Sequence, residues 1–167
     1  IIKSGKIELV VSNVETAYAL TRAKENNIKS AYIPSKAPDF EAQLKKVLSE
    51  NEIDLIILAG FMKILSADFT NEYENKIINV HPSLLPEFGG HGMFGHHVHE
   101  AVIAAGRTRS GITIHLVDEH YDQGSILAQF ECEVLPDDTP QTLEARIHEL
   151  EYRHYPEQIE KLILKHQ

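Results

Sequence analysis

The hydrophobic pattern switches repeatedly between two periods. Short apolar runs rich in β-branched residues alternate with longer stretches in which apolar positions recur at helical spacing. Residues 7–12, 29–33 and 54–59 read as strands, and residues 15–26 and 39–51 as helices between them. Ser12, Asn13 and Asp39 offer side chains suited to helix capping. The run Asp54-Leu-Ile-Ile-Leu-Ala is continuously apolar, which predicts a strand covered on both faces. Residues 1–6 read as the tail of a helix, and residues 66–73 as a short helix feeding the next strand. This alternation predicts βαβ units, a parallel sheet and an α/β fold class.

The next stretch, Lys76-Ile-Ile-Asn-Val-His-Pro-Ser-Leu-Leu-Pro86, is a buried strand running into a loop. Asn79 and His81 lie two apart, so on an extended backbone they share one face, while Val80 points to the other. Pro82 has no amide donor and cannot continue an interior strand. Two polar side chains thus project from the C-terminal end of a strand, where open α/β sheets bind ligands. An amide beside an imidazole suits a developing oxyanion, although a strand-end Asn and His with ordinary partners would give the same pattern.

A Gly-rich loop follows, Glu87-Phe-Gly-Gly-His-Gly-Met-Phe-Gly95, matching neither a P-loop nor a dinucleotide fingerprint. Residues 96–105 read as a helix ended by Gly106. Residues 111–117 alternate, placing Thr113 and His115 on one face, in the core or in the pocket of Asn79 and His81. Residues 118–124 form an acidic turn containing Asp122, and residues 125–135 a long strand. Thr139 can cap a final helix, where Pro156 predicts a kink or two successive helices.

Composition narrows the classes. One domain is the natural count for 167 residues, and no apolar run approaches the ~20 residues of a membrane span. The first residues do not read as a signal peptide. A formal charge of −9 disfavours a general nucleic-acid surface. Cys132 is the one cysteine, so no disulfide framework forms, and a reducing cytoplasm fits. His96, His97 and His99 could suggest a metal, but no partner stands at a known ligand spacing; helix-start packing is the better reading. No Ser sits in a nucleophile-elbow context.

Four blocks together carry a resemblance: Leu58-Ala-Gly-Phe-Met-Lys-Ile-Leu65, Ile78-Asn-Val-His-Pro-Ser-Leu-Leu-Pro86, Gly111-x-Thr-x-His115 and Asp122-x-Gly124. In order and spacing they closely resemble the glycinamide ribonucleotide formyltransferases of de novo purine synthesis, from about residue 7 to the end. The Gly-rich loop resembles one bacterial branch of that family.

The resemblance implies a single domain over residues 1–167 with a three-layer, mostly parallel Rossmann-like sheet and a long C-terminal helix. It implies that the amine of glycinamide ribonucleotide takes the formyl group of 10-formyltetrahydrofolate, a co-substrate, through a tetrahedral oxyanion. Asn79 would donate to that oxyanion. His81, as imidazolium, would be second donor and general acid. Asp122 would raise the His81 pKa and relay the proton. Lys36, Met62, Lys63, Ile64, Leu65, Asn79 and Asp118 would bind the folate, and Glu151, with His115 and Thr113, the amine-bearing substrate. Lys63 stands where many members carry Arg. No metal is implied, and the protein would be a cytoplasmic monomer or homodimer with small-molecule partners, no nucleic acid and no membrane.

One departure stands out. The family opens with a strand and a Gly-Ser-Gly-x-Asn phosphate loop at a helix N-terminus, which this sequence lacks; the first βα unit is expected to be absent. Position 91 is His where that branch tends to carry Lys. Rivals are 10-formyltetrahydrofolate hydrolase, which shares the Asn, His and Asp, and a folate-binding module without turnover. Methionyl-tRNA formyltransferase would need a basic, tRNA-binding extension.

Overall fold

The computed structural model describes residues 2–165. They form two compact units, one of residues 5–54 and one holding most of the remainder.

In the smaller unit, β1 (Leu9–Ser12) and β2 (Lys29–Tyr32) pair in parallel, joined by α1 (Tyr18–Glu25). Helix α2 (Phe40–Glu50) buries Phe40, Leu44 and Leu48, a stripe at four-residue spacing. The expected caps differ. Ser12 turns its hydroxyl to the amide of Val14, so α1 starts only after Ala17. Asp39 accepts the Gln43 side-chain amide at 2.9 Å and makes no capping bond.

The larger unit contains β3 (Ile56–Leu58), α3 (Ala67–Glu72), β4 (Ile77–His81), α4 (His96–Ala104), β5 (Arg109–Leu116), β6 (Ile126–Glu133) and α5 (Pro140–Lys165). The sheet order is β3-β4-β5-β6. β3 pairs with β4 in parallel, and the later pairs are antiparallel. The α/β class, the βαβ units and the long C-terminal helix follow the sequence reading. After α4 the chain turns at Gly106 (φ +61), and β5 runs antiparallel to β4.

Alternation divides β4 and β5 into two faces. Ile78, Ile112 and Ile114 face Val98 and Val102 of α4 and Leu143, Ile147, Ile159 and Leu162 of α5, forming the core. Asn79, His81, Thr113 and His115 occupy the other register positions.

Three expectations need correction. Residues 2–8 are bends and coil rather than a helix tail, because the Glu160 carboxylate captures the amides of Lys3 and Ser4 and the Ser4 hydroxyl. β3 is not covered on both faces: it ends its four-stranded sheet, and Ile57 is 38% exposed. α5 is one continuous helix through Pro156, which excludes the alternative of two successive helices. The carbonyl that Pro156 deprives of a donor belongs to Tyr152, a residue 77% exposed, where water can serve it. Beyond the proline, Gln158, Ile159 and Leu162 are buried and keep the helix docked.

Candidate active site

Asn79 pairs with His115 and His81 with Thr113 across the β4–β5 ladder, so the four residues form one patch. Their hydrogen bonds differ. The Nδ1 of His115 lies 2.9 Å from the Leu116 carbonyl, which can only accept, so Nδ1 carries the hydrogen. The Nε2 of His115 then accepts from the Asn79 amide at 3.3 Å. The Nε2 of His81 donates to the Phe88 carbonyl at 2.8 Å. Thr113 is wholly buried, and its hydroxyl donates to the Ser83 carbonyl while accepting from the Leu85 amide and the Gln129 side chain.

The loop after β5 brings Asp122 over this patch. One carboxylate oxygen accepts the Gly90 amide at 2.9 Å and lies 3.6 Å from Nδ1 of His81; the other lies 3.9 Å from Nε2 of His115. Asp122 stands at φ +54, a conformation that Asp tolerates better than most residues. Gly124 lets this loop lie against β5: a Cβ there would collide with the Leu116 carbonyl.

Burial is the largest influence on His81 and pushes its pKa below the ordinary imidazole value, against the pull of Asp122 and the Phe88 carbonyl. The expected rise is therefore corrected: desolvation outweighs the carboxylate, and the resting ring favours its neutral form.

A cleft opens beside the patch, bounded by Leu58, Phe61, Lys63, Ile64, Leu65, Asn79, His115 and the 117–122 segment. Of the expected folate residues, Lys63, Ile64, Leu65, Asn79 and Asp118 line it. Met62 does not and is 62% exposed. Lys36 lies in the turn after β2, in the smaller unit. Glu151 lies on α5, outside the cleft lining. Burial raises its carboxyl pKa, His148 opposes this and Glu144 adds to it.

The His96–His99 cluster is tied to helices. His96 Nδ1 lies 3.2 Å from Glu144, and His99 is buried with Nδ1 unpartnered. Among the described residues no group of three or more His, Cys, Asp or Glu is placed to hold a metal ion. Burial raises the Cys132 thiol pKa, which disfavours a nucleophilic role.

The sequence profile of a family described as formyl transferase matches residues 2–159. The chain belongs to the formyl transferase family. It is 41% identical over 163 residues to a chloroplastic phosphoribosylglycinamide formyltransferase of Vigna unguiculata, covering 95% of this chain and 52% of that protein. The chain thus spans about half the length of that relative. The crystal structure of phosphoribosylglycinamide formyltransferase from Anaplasma phagocytophilum matches with a TM-score of 0.90 at 36% identity, over 98% of this chain and 77% of that one. The corresponding structure from Streptococcus pneumoniae matches with a TM-score of 0.86 at 42% identity, over 95% and 88%.

Sequence reasoning missed several parts of this candidate site. Phe88 and Gly90 contribute only backbone groups, which no side-chain pattern reveals. Gln129 interrupts the apolar stretch Ile126-Leu-Ala-Gln-Phe130 at the start of β6, a signal that was there to read.

Proposed function

We propose that this chain transfers the formyl group of 10-formyltetrahydrofolate to the amine of glycinamide ribonucleotide, a step of de novo purine synthesis. The observation that carries the reading is that Asn79, His115 and Asp122 converge on the cleft, with buried His81 3.6 Å from Asp122, in a chain whose relatives bear that enzyme's name.

The amine nitrogen attacks the formyl carbon, and the carbonyl electrons move onto oxygen. The Asn79 amide donates to that oxyanion; losing one such donor typically costs ~3 kcal/mol of barrier. His81 starts neutral and receives the proton lost by the amine at Nδ1, with Asp122 holding the resulting imidazolium by opposite charge. The imidazolium then donates to the oxyanion and returns a proton to the departing folate nitrogen as the carbon–nitrogen bond breaks. The products are the N-formyl ribonucleotide and tetrahydrofolate. Lys63, Ile64, Leu65 and the 118–122 loop hold the folate, and Glu151 holds the amine-bearing substrate.

The test is the absorbance change on deformylation of 10-formyltetrahydrofolate, with and without glycinamide ribonucleotide. Formyl loss that requires the ribonucleotide supports the reading. Equal loss without acceptor would reassign the chain as a hydrolase, and folate binding without turnover would make it a binding module.

A further inference from the structure

β4 ends at His81, and residues 82–90 double back over it to place the Phe88 carbonyl 2.8 Å from Nε2. That carbonyl is held in an unusual way. Phe88 stands at φ +54, a left-handed conformation that a bulky side chain adopts only when its surroundings impose it. Ser83, wholly buried, donates its hydroxyl to the neighbouring Glu87 carbonyl at 2.7 Å. Arg107 reaches the Glu87 carboxylate at 2.9 Å, and its guanidinium lies over the Phe88 ring at 6.0 Å. The Ser83 carbonyl is itself fixed by the Thr113 hydroxyl at 2.7 Å, and Thr113 by Gln129 at 2.9 Å. The chain of contacts runs from β6 through β5 to one carbonyl oxygen.

A neutral imidazole carries one ring hydrogen and must choose between its two nitrogens. At His81 the rivals are the Phe88 carbonyl, at 2.8 Å from Nε2, and the Asp122 carboxylate, at 3.6 Å from Nδ1. The first distance is a good hydrogen bond and the second is too long for one. Were the carbonyl free to drift, the carboxylate would draw the hydrogen to Nδ1 and leave the lone pair facing away from it.

We propose that Ser83 and Arg107 are positioning residues that pin the Phe88 carbonyl on His81. They fix the neutral ring in its Nε2–H tautomer and keep Nδ1, beside Asp122, as the nitrogen that accepts and returns the proton. The consequence for turnover rests on the formyl-transfer reading, whereas the tautomer does not.

The experiment is NMR of the whole chain with isotope-labelled histidine, since the ring nitrogen and Cδ2 shifts distinguish the two tautomers. Turnover is measured on the same samples. Wild type is expected to show His81 as Nε2–H. Ser83→Ala and Arg107→Met are expected to move it toward Nδ1–H and lower kcat about tenfold with little change in KM, a part of the roughly 10²–10⁴-fold that a general acid–base group contributes, since His81 itself remains. Arg107→Lys is expected to recover part of both. Arg107 is about half exposed, so its variants keep the test open if Ser83→Ala does not fold. A wild-type His81 in the Nδ1–H form, or an unchanged tautomer in folded variants, would overturn the proposal. So would a changed tautomer with unchanged kcat. Wild type that shows Nε2–H but no formyl transfer would overturn the functional reading and leave the tautomer lock standing.

Discussion

Tyr155→Phe removes one oxygen from the junction of α5 with the sheet. The Tyr155 hydroxyl lies 2.8 Å from the Leu58 carbonyl and 2.9 Å from the Ile78 carbonyl. One hydroxyl hydrogen is shared between two acceptors, at the end of the only parallel pair in this sheet. Tyr155 is 8% exposed, and burial drives its phenol pKa well above the usual tyrosine range, so the hydroxyl remains a donor at any working pH. Phenylalanine keeps the ring and its packing. What is lost is the donor, leaving two carbonyls short of a partner, which costs about 1–3 kcal/mol. For a chain of this size that corresponds to a fall in Tm of about 2–12 °C, or in the urea midpoint of about 0.5–1.5 M at an m-value near 2 kcal/mol/M. Thermal melts and urea titrations at several pH values between 6 and 9 would measure it, and the deficit should not depend on pH. A variant that melts within about 1 °C of wild type would refute the reasoning. The same substitution should weaken turnover even well below the melt, because Leu58 and Asn79 both border the cleft.

Asp122→Asn keeps an acceptor for the Gly90 amide but removes the charge beside His81, so kcat should fall by about 10²–10³ with little loss of fold; near-wild-type kcat in steady-state assays would contradict its role. Burial lowers the pKa of both His81 and His99. Below the unfolded value of about 6.5 the unfolded chain therefore binds more protons than the folded one, so this stability is complete above that pH and lost as pH falls through it. The urea midpoint should be lower at pH 5.5 than at pH 7.5, and His99→Gln should flatten that dependence; a higher midpoint at pH 5.5 would contradict the sign. Gly124→Ala drives a Cβ into the Leu116 carbonyl and should cost about 2 kcal/mol or more while displacing Asp122, read as a lower melting temperature together with lost turnover.

Much of this arrangement was legible because it depends on short-range pattern. Asn79 and His81 at a spacing of two, followed by Pro82, announced a polar face at a strand end, and β4 stops at His81 before that proline. Ser66 announced the start of α3, and its hydroxyl accepts the Phe69 amide at 3.2 Å. What sequence did not reveal depends on long-range partners. Nothing local says that Glu160 will take the amides of residues 3 and 4, or that burial will outweigh Asp122 at His81. The direction of β5 was equally hidden, since an alternating strand reads the same in a parallel or an antiparallel ladder. Phe88 contributes through a carbonyl, and a backbone atom leaves no trace in composition.

The β5–β6 register bears on how the site tolerates change. Thr113 opposes Gln129 and Ile114 opposes Ala128, but His115 opposes Ile126, so Leu127 is an extra residue on β6. A bulge of this kind bends one strand and lets its partner keep its own pairing. Here β5 remains in step with β4, pairing Asn79 with His115 and His81 with Thr113, while β6 is free to diverge beyond that point. Without the bulge, β6 would continue straight beside β5 and shift the Ser125 carbonyl that receives the Leu116 amide at 2.9 Å. The segment delivering Asp122 would shift with it. Deleting Leu127 should therefore leave the core on Ile78, Ile112 and Ile114 intact while misplacing Asp122. The measurable signature is a retained cooperative melt with a loss of kcat like that of Asp122→Asn. Full activity after the deletion would show that the loop takes its position from Gly124 and Gly90 alone.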